Sequence, residues 1–323
     1  MKPQAYAAID IGSNTFRLMI AHQAAPEHPT PWHIEAYTHR IIRLGEGLHE
    51  HGQLCDAAMQ RAMCAFHEFA TLLHQHHIDA EHTYAVATSA MREARNGHAF
   101  CQQVAQETGI QVHIIAGEEE ARLSLLGSGA VLPPDIRQNF LLFDIGGGST
   151  EFVRAQHHTV HDAISRTLGV VRLVEAHLHS NPPSHDDYQA MKDTCLEHLQ
   201  AVETHWHNSN GHRHTPPALV GTAGTVTTLA AVDLDMLCYD ADIINQHSIS
   251  RSRFHELKQQ LLSMSLTQRQ NLAAIEEGRA DLMVAGIAII DTILEHWDYD
   301  TLRIVDAGLL EGAWLSFMQP EQT

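Results

Sequence analysis

Apolar positions along the chain follow two periods that take turns. Residues 5–11, "AYAAIDI", are a short apolar run carrying Asp10, and after a turn of small polar residues the run resumes over 15–22. This predicts a buried strand and its hairpin partner. Residues 33–43 alternate with period two and predict a third strand. From Asp56 to His77 the period becomes helical, with Met59, Met63, Phe66, Phe69, Leu72 and Leu73 on one face. "TYAVATSAMREARNG" reads as a strand, a loop and a helix beginning near Ser89, interrupted at Asn96 and Gly97. A helix over 100–108 stops at Gly109. "VHIIAG" is a strand, and "EEEARLSLLGSGAVL" a helix with an acidic start. Pro133 and Pro134 mark a turn.

The second half repeats the plan. Strands are expected over 140–144, 150–154 and 160–167, then helices over 170–178 and 186–207, and a polar loop over 207–217. "ALVGTAGTVTTLAAV" reads strand, glycine-rich turn, helix. Helices follow over 251–263, 267–272 and 278–296, and "LRIVDAGLLEGAWLSFM" closes as strand, turn, helix. The repeat is plainest in "AAIDIGSNTFRL" (7–18) against "LLFDIGGGSTEF" (141–152). Such self-similarity implies two α/β domains of common ancestry facing each other across a cleft. The boundary falls near 126–138, giving domains of 1–126 and 127–323, with the last helix, about 306–318, free to pack back on the first.

A length of 323 residues supports this division, being long for one core and enough for two. No apolar stretch is long enough to span a membrane, and the N-terminal residues lack a signal peptide's apolar region. Five scattered cysteines without a CxxC pair read as thiols of a reducing cytoplasm. The formal charge of −19 disfavours nucleic acid and other polyanions at long range. A phosphate ligand must therefore be met locally, by arginine, backbone N–H groups and metal ions. Lysine occurs only at Lys2, Lys192 and Lys258. Twenty-seven histidines include the runs 74–77 and 205–214, which read as polar helix ends and a loop rather than metal sites, because no carboxylates stand at ligand spacing.

The candidate chemistry lies in the turns. After the strand ending at Asp144, Gly146, Gly147 and Gly148 permit positive φ and close backbone approach, Ser149 and Thr150 add hydroxyls, and successive N–H groups make an anion nest. An aspartate at such a mouth suits a divalent ion bridging to phosphate. Asp10, Gly12, Ser13, Asn14 and Thr15 form the second copy. Gly221, Thr222, Ala223, Gly224 and Thr225 form a third loop, between a strand and a helix N-terminus that favours anions.

Taken in order, "AIDIGSNTFRL", "RLGEGL", "ATSAMREARNG", "IIAGEEEARL", "FDIGGGSTEF", "SRTLGVVRL", "VGTAGTVTTLA" and "VDAGLLEG" resemble the exopolyphosphatase and guanosine pentaphosphate phosphohydrolase family, Ppx/GppA, in its short two-domain form. The resemblance implies two actin-like domains of the sugar-kinase and heat-shock-chaperone superfamily. It implies Glu120 as the general base that activates water, and Arg92 as a phosphate contact. Asp144 and Glu151 become ligands of Mg²⁺ or Mn²⁺, with Asp10 opposite. Ser89, Arg95 and Asn96 rank second, while Glu118 and Glu119 favour the helix dipole alone. Arg17 stands in the first copy where Glu151 stands in the second. Metal is therefore expected mainly on the second hairpin and phosphate grip on the first.

The implied reaction is metal-assisted hydrolysis of a terminal phosphoanhydride of polyphosphate, by a cytoplasmic homodimer. The nearest rival substrate is guanosine pentaphosphate. A kinase of the same fold and a non-catalytic sensor of these ligands are the remaining alternatives.

Overall fold

The computed structural model describes residues 4–25, 27–157, 159–210, 218–245 and 247–318, with 208–210 as backbone alone. It divides the chain into two units, residues 1–131 with 307–323, and residues 132–306. The division follows the end of an unbroken helix at Val131, a few residues beyond the expected 126.

The first unit holds strands β1 (Ala5–Ile11), β2 (Thr15–Gln23), β3 (Trp32–Ile41), β4 (Thr83–Ala87) and β5 (Val112–Ile114). They form one mixed sheet in the order β3-β2-β1-β4-β5. The first three strands are antiparallel, and β4 and β5 join parallel to β1. Helices α1 (Leu48–His51), α2 (Asp56–Gln75), α3 (Ser89–Glu93), α4 (Gly97–Thr108) and α5 (Gly117–Val131) connect them. On one sheet face Phe16 packs with Phe66, Phe69 and Phe100 of α2 and α4. The alternation of β1 and β2 puts Ala8 and Met19 on the other face, against Leu123 of α5 and Leu310 and Trp314 of the chain's last helix.

The second unit holds β6 (Asn139–Ile145), β7 (Thr150–Gln156), β8 (Thr159–Arg166), β9 (Ala218–Thr222), β10 (Ser248–Ser250) and β11 (Thr301–Ile304), in the order β10-β11-β9-β6-β7-β8. Its helices are α6 (Val170–His177), α7 (His185–Asn210), α8 (Gly224–Asp233), α9 (Ala241–Ile244), α10 (Arg251–Ser263), α11 (Leu266–Gln270) and α12 (Met283–His296). Leaving β10 aside, strand order and direction repeat those of the first sheet: an antiparallel triplet, then two parallel strands. The duplicated α/β reading of the sequence is therefore the observed fold.

Helix α12 is apolar all round, with every residue from Met283 to Leu294 buried. The one charge in that buried stretch, Asp291, is met by Lys192, Lys258 and the Tyr188 hydroxyl. Burial pushes the Asp291 carboxyl up, but the two ammonium groups outweigh this and hold it below its ordinary range.

Helix α13 (Leu309–Met318) returns to the first unit and crosses α5 at glycines. A Cβ on Gly127 would lie 2.0 Å from Gly308 O, and one on Gly312 1.8 Å from Leu123 O. Side chains there would force the helices apart.

Three expectations change. The helix expected over 278–296 begins at Met283, because the polar "EEGRAD" segment before it turns rather than winds. The loop expected from 207 begins later, since α7 runs on to Asn210, and 211–217 lie outside the described residues. The helix expected from Phe100 starts at Gly97, where a Cβ would strike Met91 O. All five cysteines are free thiols.

Candidate active site

The two hairpin turns share one geometry. Gly12 N donates to Thr15 O at 3.1 Å, and Gly146 N donates to Ser149 O at 2.9 Å. A Cβ would lie 2.9 Å from Thr15 O at Gly12 and 3.0 Å from Ser149 O at Gly146. Positive φ, expected at Gly146 to Gly148, is not used at any of them. Close backbone approach is what this turn asks of glycine.

The second turn is braced from behind. Gly146 O accepts from Val170 N, Gly147 O from Val171 N, and Gly148 O from Arg172 Nε at 2.8 Å. A peptide N–H points opposite to its C=O, so the amides of Gly147, Gly148 and Ser149 turn away from the brace. Gly169 must be glycine, because a Cβ there would lie 2.2 Å from Gly147 O. The first turn is held in the same manner: Ser13 O accepts from Gly45 N, and Asn14 O from Ile42 N and Arg43 N. The "RLGEGL" and "SRTLGVVRL" segments are thus the supports of the two turns. Three amides presented on one side form a cradle for an anion.

The third loop is strained. Ala223 has φ 74° and ψ 170°, a region almost reserved for glycine. It precedes α8, whose first residue, Gly224, lies directly beneath the Arg279 guanidinium: a Cβ there would sit 1.7 Å from Nη1. Glu276 accepts from Arg279 Nε at 2.7 Å and holds it in place. A cation is therefore fixed at a helix N-terminus, a position that favours anions. Sequence reasoning missed Arg279 because its segment read as the start of a helix.

Glu120 and Arg92 are brought together. Glu120, 5% exposed in the first turn of α5, accepts from Arg92 Nη1 at 3.0 Å, and the same nitrogen donates to Ile115 O at 2.9 Å. Beside this pair the Ser89 hydroxyl donates to Glu93 Oε1 at 2.8 Å. Asn96 clamps both backbone groups of Leu54, and Arg95 donates to His51 O. These second-rank candidates brace the loop between α1 and α2. Glu119 pairs with Arg122 on the same helix.

The aspartates at the two mouths differ in company. Asp10 pairs in register with Arg17, whose Nε and Nη2 both donate to Oδ2 at 2.9 and 2.7 Å. Burial would lower the Arg17 guanidinium, but Asp10 and Glu311 outweigh it and hold it above its ordinary range. Asp144 pairs in register with Glu151, which is 1% exposed and accepts from Ser165 Oγ at 2.7 Å. Two carboxylates opposite each other on adjacent strands repel, and a cation between them removes that cost. Asp144 and Glu151 therefore fit a divalent ion. At Asp10 a guanidinium takes Oδ2, while Oδ1 is buried without a hydrogen-bond partner among the described residues. Among the described residues no three His, Cys, Asp or Glu side chains are grouped to hold a metal. An ion at Asp144 and Glu151 would draw its remaining ligands from phosphate and water, as Mg²⁺ commonly does.

The duplicated sheets and braced glycine turns define a two-unit α/β protein. The chain belongs to the Ppx/GppA phosphatase family, whose model matches residues 22–321, and it is a phosphoanhydride hydrolase. It is 34% identical to Exopolyphosphatase 2 of Mycobacterium tuberculosis (strain ATCC 25618 / H37Rv), over 96% of this chain and 97% of that protein. A solved exopolyphosphatase from Cytophaga hutchinsonii ATCC 33406 matches with a TM-score of 0.88 at 26% identity, covering 98% of each chain. The Aquifex aeolicus Ppx/GppA family member matches with a TM-score of 0.80 at 27% identity, covering 99% of each. No helix among the described residues is long and apolar enough to cross a membrane.

Proposed function

We propose that this chain is a metal-dependent exopolyphosphatase that removes the terminal phosphate of inorganic polyphosphate as orthophosphate. The observation that carries the reading is the Asp144–Glu151 carboxylate pair beside the braced Gly146–Ser149 turn, in a chain of the Ppx/GppA family. The names of the relatives support the substrate.

The amides of Gly147, Gly148 and Ser149 hold the terminal phosphate, and those of Asn14 and Thr15 grip phosphate on the first turn. The third loop, Gly221 to Thr225, adds its helix N-terminus. Glu120 orients a water and takes its proton as the water oxygen bonds to the terminal phosphorus. The phosphoanhydride bond then breaks and the shortened chain leaves. Arg92, once released from Glu120, meets phosphate charge with a planar fork. A divalent ion on Asp144 and Glu151 supplies neutralisation of phosphate oxygens. Asp10 orients Arg17 through Oδ2 and keeps Oδ1 for the ion's side of the site. The proposal includes a homodimer in a reducing cytoplasm, a setting that five free thiols suit.

The test compares orthophosphate release from long-chain polyphosphate and from guanosine pentaphosphate at equal enzyme, with Mg²⁺, Mn²⁺ or EDTA and no phosphoryl acceptor other than water. Faster release from polyphosphate, abolished by EDTA, is expected. Preference for the nucleotide would transfer the assignment to pentaphosphate hydrolysis, and dependence on an acceptor would make the protein a kinase.

A further inference from the structure

Four residues in register cross the carboxyl end of the second unit's central strands. Thr222 of β9 pairs with Asp144 of β6, Asp144 with Glu151 of β7, and Glu151 with Ser165 of β8. Residues paired in register project from the same face. The row therefore reads hydroxyl, carboxylate, carboxylate, hydroxyl. The corresponding row of the first unit, from β4 to β3, reads Val86, Asp10, Arg17, His39. In that copy the charge problem is solved inside the row, by the Arg17 guanidinium on Asp10. In the second copy two like charges stand side by side, with a hydroxyl residue at each end.

Ser165 makes a defined contact within this row. Its Oγ donates to Glu151 Oε1 at 2.7 Å, and Glu151 is almost wholly enclosed. This hydroxyl donor from β8 restrains the rotation of the carboxylate about its last bond. It also sets which oxygen faces β8 and which faces back along the row toward β6. We propose that Ser165 is a positioning residue: it holds Glu151 so that the second carboxylate oxygen is presented, together with Asp144, to a divalent cation. The inference rests on the metal reading proposed above and adds to it the group that orients one ligand. Outer groups of this type set ligand geometry and commonly change metal affinity by about 10–100-fold when removed.

The test titrates Mn²⁺ into the full chain in the presence of orthophosphate, following free Mn²⁺ by electron paramagnetic resonance. Wild type, Ser165→Ala, Ser165→Thr and Glu151→Gln are compared, with urea midpoints recorded alongside. Glu151→Gln is expected to lose the saturable site, Ser165→Ala to weaken it by about 10–100-fold, and Ser165→Thr to keep it. Wild-type Mn²⁺ affinity in folded Ser165→Ala, with the site lost in Glu151→Gln, would overturn the role of Ser165 and leave the metal reading standing. Undiminished Mn²⁺ binding by Glu151→Gln, or no saturable site in wild type, would overturn the metal reading and this inference with it. Should the alanine variant unfold, Ser165→Thr against Ser165→Val makes the same comparison, since the two match in shape and differ in the hydroxyl. Equal affinity in those two would likewise refute the positioning role.

Discussion

Arg92 Nη1 lies 3.0 Å from Glu120 Oε2, and both side chains belong to helices that follow parallel strands of the first sheet. The carboxylate is enclosed and its partner is half-exposed, so the pair opens from the arginine side. Replacing Glu120 by Gln keeps shape and removes the proton acceptor. The expected result is a loss of turnover of about 10²–10⁴-fold with little change in KM, read by phosphate release. Arg92→Lys keeps charge and loses the fork, so it should raise KM without rescuing the geometry.

Arg17 and Asp10 form an enclosed pair with Asp10 at 4% exposure. Asp10→Asn leaves the guanidinium short of its closest countercharge. The predicted cost is about 3 kcal/mol, the low end for breaking a buried pair, read as a shift in the urea midpoint at unchanged slope.

Arg269 is 2% exposed and donates to the carbonyls of Ala280, Leu261 and Met264, pinning the turns around α11 to the start of α12. Burial lowers its guanidinium from the ordinary value, with Asp281 opposing. Arg269→Met fills the space and strands three acceptors. A loss of about 2–4 kcal/mol is expected from the unmet carbonyls, and calorimetry should show it as a lowered Tm.

Asp187 sits in the first turn of α7 and accepts from the backbone of His179 and Ser180 and from the Ser180 hydroxyl. The Ser180 hydroxyl is the main cause that pulls it down to about 2, against an ordinary 3.8. A depressed carboxyl stabilises the fold above its unfolded pKa and loses that contribution as pH falls through its folded pKa. The stability difference between wild type and Asp187→Asn should therefore be constant above about pH 5 and shrink as pH falls from about 4 to 2. A difference that grows on acidification would contradict the assignment. Urea melts at stepped pH provide the measurement.

Much of this was readable from the chain. The Asp-Ile-Gly repeats placed both hairpins, and hairpin symmetry alone sets Asp10 against Arg17 and Asp144 against Glu151. Glu120 and Arg92 were named from motif resemblance and lie in contact. What escaped were groups defined by long-range register or by backbone. A serine on an alternating strand looks like a solvent-facing residue, and only the β7–β8 pairing shows that Ser165 touches Glu151. Arg172 reads as one polar position of an amphipathic helix, whereas its Nε holds a carbonyl of the glycine turn. Ala223 carries no sign of its left-handed φ, and the reach of Arg279 to Gly224 depends on how α12 is approached.

The glycine crossing of α5 with α13 has a consequence for how the protein is made. Residues 307–323 complete the first unit, yet the ribosome delivers them only after all of 132–306. At about 5–20 residues per second, roughly ten to thirty-five seconds separate the two parts of one core. During that interval the apolar face formed by Ala8, Met19 and Val86 lacks Leu310 and Trp314 to cover it. The second unit is contiguous and can mature first, so the half of the molecule that begins the chain is the half that finishes folding last.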